Sequence, residues 1–148
     1  MKLTWKDHEE IAWALIDKFP DQDPLKLPPE ASIQQACERM WERRVGAVLV
    51  TEGDNLVGIF TARDAVRALA EGRSPSGAPL SSVMTAKPDK IAPDAKAIDA
   101  LRRMSDGGYR HLPVVDGGKV MGIVSRGDFL GQELDRLESE TCLWERIA

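Results

Sequence analysis

The chain has 148 residues, 43% of them hydrophobic and 30% charged, and a formal net charge of −4. That is enough apolar material for one buried core and about one domain, a requirement that two halves sharing a core would meet. The acidic balance offers no basic field for nucleic acid or an anionic membrane, and no apolar run reaches the roughly 18 residues of a spanning helix, so neither partner is expected.

In chain order, the opening MKLTWKDHEE is too charged for a signal peptide, which predicts a cytoplasmic protein. Thr4 as N-cap, Asp7 three residues on and Pro20 as terminator predict a helix with Ile11, Leu15 and Phe19 on one face. Ile33, Ala36, Cys37 and Met40 recur at intervals of three and four, predicting a helix over Ala31 to Arg43. The apolar runs Gly46 to Val50 and Leu56 to Phe60, separated by the polar Glu52 to Asn55, predict a hairpin. Thr61 then opens a helix expected to turn Val66 and Leu69 inward, and the breakers of Gly72 to Pro79 predict a loop.

A helix over Ala95 to Asp106 follows, then strands at His111 to Val115 and Val120 to Val124 around the turn Asp116 to Lys119. Ser125 opens a last helix with Phe129, Leu130 and Leu134 on its inner face, and the tail continues amphipathic through Leu137 to Trp144.

This second series repeats the first. A shift of 64 residues lays GIFTARD (Gly58 to Asp64) on GIVSRGD (Gly122 to Asp128), matching glycine, isoleucine, hydroxyl and aspartate. The same shift, without a gap, lays Pro24, Lys26, Pro29, Ala36, Arg39, Met40, Val50 and Gly53 on Pro88, Lys90, Pro93, Ala100, Arg103, Met104, Val114 and Gly117. Each copy reads as extended segment, helix, strand, strand, helix. Two or three strands are marginal alone, so the copies are expected to pack together about a pseudo-twofold axis.

The conspicuous chemistry is the duplicated hydroxyl and aspartate, Thr61/Asp64 and Ser125/Asp128. Two readings stand. A hydroxyl followed three residues later by an acid is a capping box that satisfies the amides of a helix start. Aspartate is shorter than the Glu or Gln usual there, which would leave an ionised carboxylate able to accept both hydroxyls of a ribose cis-diol. Cys37 and Cys142, with His8 and His111 as the histidines, have no metal-ligand spacing, so no metal site is expected. Reduced cytosolic thiols are expected instead, and nothing local supports a Cys37/His111 nucleophile pair. With one aspartate per copy and no acid/base group patterned around it, catalysis is not expected.

The stretches ERMWERRVGAVLVTEGDNLVGIFTARDAV, VMTAKPDKIAPDAKAIDALRRM and GGYRHLPVVDGGKVMGIVSRGDFL resemble a cystathionine-β-synthase-type (CBS) domain pair, or Bateman module, over Pro24 to Leu134. The resemblance implies an α/β (α+β) fold of tandem βαββα repeats about a pseudo-twofold axis, with extra helices at both ends. It implies an N-terminal helical extension (1–23), repeat 1 with its linker (24–79), repeat 2 (80–130) and a C-terminal helix (131–148). It further implies a regulatory adenine nucleotide, AMP, ADP or ATP, with NAD or S-adenosylmethionine as alternatives, held between the repeats of a homodimeric module that signals to a protein partner.

By the same resemblance Thr61, Asp64, Ser125 and Asp128 would bind ribose. Lys26, Leu27, Lys90, Ile91 and Pro113 would border the base, and Arg110, His111 and Arg126 would meet phosphate. The first copy departs, having Ala47-Val48-Leu49 opposite His111-Leu112-Pro113, so its phosphate side would rely on Arg43, Arg44 or Arg63. The sites are therefore expected to differ, the second taking the nucleotide and the first binding more weakly, taking another adenosyl ligand or standing empty. LTWKDHEEIAWALIDKFPDQDP is also similar to the opening of the small acidic iron–sulfur assembly protein IscX, a likeness that ends at Pro24. The rival to a sensor is an interaction module in which both boxes only cap helices.

Overall fold

The computed structural model describes residues 23–126. Its contacts divide the chain into two units: Asp23–Asp89 with Asp116–Val120, and, among the described residues, Lys90–Val115 with Met121–Arg126. The expected helices at both ends, with His8, Phe129, Cys142 and Trp144, lie outside the described residues.

In the first unit Ser32 starts helix α1 (Ile33–Arg43) with a full capping box, its hydroxyl accepting from the Gln35 amide while the Gln35 side chain takes the Ser32 amide. Ile33, Ala36 and Met40 are buried, as their spacing predicts. Strand β1 (Lys26–Leu27) runs parallel to β2 (Ala47–Glu52), which pairs antiparallel with β3 (Asn55–Thr61) through a turn where Gly53 has φ 61°. Helix α2 (Ala62–Ala70) follows at once. Strand β4 (Thr85–Ala86) then returns to pair antiparallel with β3, giving a four-stranded sheet in the order β1-β2-β3-β4. A fourth strand in the first unit, drawn from the stretch expected to belong to repeat 2 (80–130), was not expected.

Helix α2 also corrects the inward face read from the sequence. Val66 and Leu69 are 67% and 62% exposed, and the buried positions are Asp64 and Ala68. Alanines at 65 and 68 carry the inward side of the helix, and alanine adds little to an apolar stripe, so the larger residues dominated the pattern.

The segment from Gly72 to Pro79 has no strand or helix, as its breakers predict, yet it is tied to α1 through Gln34 N–H to the Pro75 carbonyl (2.9 Å) and Ile33 N–H to the Ala78 carbonyl (3.2 Å). Leu80 and Val83, in and after a 3-10 turn (Leu80–Ser82), are buried with Met40, Val48, Val50 and Phe60 in the first cluster. Met84 lies against Gly58, where a Cβ would collide with its sulfur.

In the second unit helix α3 (Ala97–Gly107) precedes the hairpin β5 (His111–Asp116) and β6 (Lys119–Ser125). Ile91, Leu101, Met104, Leu112, Val114 and Val124 form its cluster. The repeat holds at the level of single hydrogen bonds. Leu27 pairs with Val50, and 64 residues on Ile91 bridges Val114, both parallel. Val45 N–H meets the Met40 carbonyl at 3.0 Å and Tyr109 N–H the Met104 carbonyl at 3.1 Å; Ala62 N–H meets Gly46 at 3.0 Å and Arg126 N–H meets Arg110 at 2.8 Å.

Candidate functional site

The first-copy pair sits where β3 gives way to α2. Thr61, extended at φ −114° and ψ 167°, is the N-cap, and Asp64 is the third helical residue, 8% exposed. The Thr61 amide donates to Asp64 Oδ2 at 3.0 Å, the Thr61 hydroxyl to the same oxygen at 3.1 Å, and the Asp64 amide to Thr61 Oγ1 at 3.3 Å. Aspartate therefore does reach back to the cap residue, contrary to the expectation that its short side chain leaves the carboxylate unengaged.

The other oxygen is also engaged. Arg67 Nη2 lies 3.2 Å from Asp64 Oδ1 and donates as well to the Val83 carbonyl at 3.1 Å. Sequence reasoning passed over Arg67, although its i,i+3 spacing from Asp64 is the usual signal for a helical ion pair. A carboxylate offers about four lone pairs. Oδ2 receives two donors and Oδ1 one among the described residues, so one lone pair on Oδ1 remains, and turning the Thr61 hydroxyl away would open another on Oδ2.

Lys26 and Leu27 form β1 beside Leu49 and Val50, with Lys26 exposed and Leu27 half-buried. Arg63 is exposed in the first turn of α2, and Arg44 is the exposed left-handed cap of α1 at φ 54°. Arg43, weighed with them for phosphate, donates to the Asp23 carbonyl at 2.6 Å.

In the second copy the parallel bridge joins two of the expected base-bordering residues, Ile91 N–H donating to the Pro113 carbonyl at 2.9 Å, and Lys90, next in the chain, accepts Arg103 Nη1 on its carbonyl at 2.6 Å. Arg110 and Arg126 are joined through their main chains, His111 begins β5 half-buried, and Ser125 ends β6 where Thr61 ends β3. Asp128 lies outside the described residues.

Cys37 on α1 is half-buried, and its thiol is pushed above its usual range by burial and then by the nearby Glu38 carboxylate. No group of three or more His, Cys, Asp or Glu side chains placed to hold a metal ion occurs among the described residues. No helix among them is long and apolar enough to cross a membrane.

The family model for the CBS domain matches the chain twice, over residues 16–71 and 80–135. The chain belongs to the CBS-domain family. It is 39% identical over 125 residues to the CBS domain-containing protein CBSCBSPB3 of Arabidopsis thaliana, covering 83% of this chain but 22% of that one, so it spans about a fifth of that relative's length. A CBS-domain containing protein from Agrobacterium tumefaciens has the same fold, with a TM-score of 0.73 at 29% identity over 86% of this chain and 92% of its own. A CBS domain protein from Pyrobaculum aerophilum, solved complexed with AMP, has a TM-score of 0.74 at 23% identity, covering 84% and 98% of the two chains. The CBS pair is a regulatory module, and its internal repeat is the one read from the sequence.

Proposed function

We propose that this CBS pair is a sensor of an adenine nucleotide of the AMP, ADP or ATP class. Thr61/Asp64 and Ser125/Asp128 grip the ribose. Arg110, His111 and Arg126 meet phosphate in the second copy and Arg44 and Arg63 in the first, while Lys26, Leu27, Lys90, Ile91 and Pro113 border the base. The observation that carries the reading is the lone-pair arithmetic at Asp64: one acceptor position open on Oδ1, and a second on Oδ2 once the Thr61 hydroxyl turns, matched to the two donors of a cis-diol. The AMP complex of the Pyrobaculum aerophilum protein, alike in fold, supports the same ligand class. On this reading the module acts in the cytoplasm as a homodimer and passes its ligand state to a partner protein. Exposed Val66 and Leu69 on α2 support assembly.

A second reading rests on the same contacts. The capping box and Arg67 already serve Asp64, as an interaction module without a ligand requires. Isothermal titration of the full chain with AMP, ATP, NAD and S-adenosylmethionine separates the two. The sensor gives saturable heat with at least one adenosyl compound, and heat from none would leave the interaction module.

A further inference from the structure

We infer that Arg67 is a positioning residue that couples ribose binding at Asp64 to residues 80–89, the connector through which the first unit's chain runs on into the second repeat; the inference rests on the nucleotide reading above. A single nitrogen, Nη2, makes both contacts, at 3.2 Å to Asp64 Oδ1 and 3.1 Å to the Val83 carbonyl. Val83 is buried, so its carbonyl needs a donor from within the protein, and Arg67 supplies one. An ordinary ion pair within a helix would tie Asp64 to nothing beyond α2. This one reaches 16 residues along the chain.

The segment it reaches is built onto the first unit at several points. Leu80 is fully buried and its amide donates to the Ala31 carbonyl at 2.8 Å, β4 pairs with Gly58 and Ile59, and the Lys87 amide donates to the Val57 carbonyl at 3.3 Å, while the Met84 amide closes the segment's own turn on the Leu80 carbonyl. Met84 occupies the space that Gly58 leaves by having no side chain. Along the chain the connector runs on to Lys90 and Ile91, the segment proposed to border the second base.

Asp64 accepts a diol well only while the plane of its carboxylate is fixed. The Thr61 amide fixes Oδ2, and Arg67 fixes Oδ1 as long as its guanidinium stays on Val83. A ligand on Asp64 therefore binds best to the arrangement in which Arg67 and the connector are docked, and it favours that arrangement in return. The coupling is positive: occupancy protects the connector, and loosening the connector weakens the site.

The test uses the full chain carrying Asp128→Ala, so that AMP heat reports the first site, with hydrogen exchange followed at the Met84 and Lys87 amides. AMP should slow exchange at both amides. Arg67→Met should abolish that slowing and weaken AMP by up to about fivefold, the range of a half-exposed ion pair, and Arg67→Lys should restore part of both. An Arg67→Met protein whose connector AMP still protects as in the parent overturns the coupling and leaves the nucleotide reading standing. AMP heat in the wild type that vanishes wholly with Asp128→Ala overturns the coupling too, because the first site then holds no AMP. Absence of heat in the wild type from AMP, ATP, NAD and S-adenosylmethionine alike overturns the nucleotide reading and the coupling with it. The unfolding midpoint of each variant separates loss of fold from loss of coupling.

Discussion

The two repeats share their main-chain hydrogen bonds and differ in the side chains placed on them. The bridge of Leu27 to Val50 recurs as Ile91 to Val114, and the closures at Ala62 and Arg126 correspond bond for bond. Against this constant frame, α1 ends on Arg44 and α3 on Gly108, both left-handed, and Ala47 to Leu49 stand opposite His111 to Pro113. One such exchange alters the frame itself. Leu49 N–H donates to the Leu25 carbonyl at 2.9 Å, but Pro113 has no N–H to repeat that bond, and the two-residue strand β1 of the first copy becomes a single bridge in the second. The lesson is that backbone pairing comes with the repeat, whereas the two copies differ in the few residues that begin the second strand and end the first helix, where the proposed sites would differ.

The largest expected effects test whether the frame is equally firm in both copies. Met40 and Met104 occupy matching core positions at 6% and 1% exposure. Met40→Ala and Met104→Ala should each cost about 2–5 kcal/mol, measured by urea unfolding. A loss confined to one of them would break the equivalence.

Next come the carboxylates. Asp128→Ala should weaken nucleotide at the second site, and Asp64→Ala at the first, by roughly tenfold to a hundredfold, the worth of hydrogen bonds to a charged acceptor, read by calorimetry. Unchanged affinity with Asp128→Ala would remove the ribose assignment. Asp64→Ala should also cost about 1 kcal/mol of stability through the lost cap.

The helix ends sharpen the comparison further. Gly108 at φ 71° has open space where a Cβ would stand, so Gly108→Ala should destabilise by about 1 kcal/mol through backbone conformation alone. The reverse change, Arg44→Gly, should leave stability equal or higher, by at most about 1 kcal/mol, while lowering affinity for ATP at the first site if that guanidinium meets phosphate.

The smallest effect concerns Cys37, whose counterpart 64 residues on is the buried Leu101. A thiol pushed upward holds its proton more tightly in the folded chain, so it supports stability below the unfolded thiol's range and loses that support as pH rises through the folded value. In a Cys142→Ser background, iodoacetamide at mildly alkaline pH should label Cys37 more slowly in the native protein than in urea.

The sequence disclosed what local pattern controls. The hairpins were readable because apolar runs flank glycines that take positive φ at the turns, and α1 because Ile33, Ala36 and Met40 keep helical spacing. What stayed hidden depends on residues distant in the chain. The Thr85–Ala86 strand is short and exposed and exists only because Gly58 and Ile59 present an edge to it. The inward face of α2 was misread because its packing residues are alanines. At the site, the hydroxyl and acid pair was visible from its spacing, but the reach of Arg67 to Val83 belongs to tertiary structure.

The burial of Leu80 and Val83 beneath the first sheet bears on how the protein can be cut apart. The family match for the second domain begins at residue 80, so excision at that boundary would strip two side chains from the first cluster and leave a sticky, poorly folded amino-terminal half. A protease nick introduced after Asp89, by contrast, would fall where the first unit's continuous stretch ends, and the amino-terminal piece would keep its fourth strand while parting from Asp116–Val120.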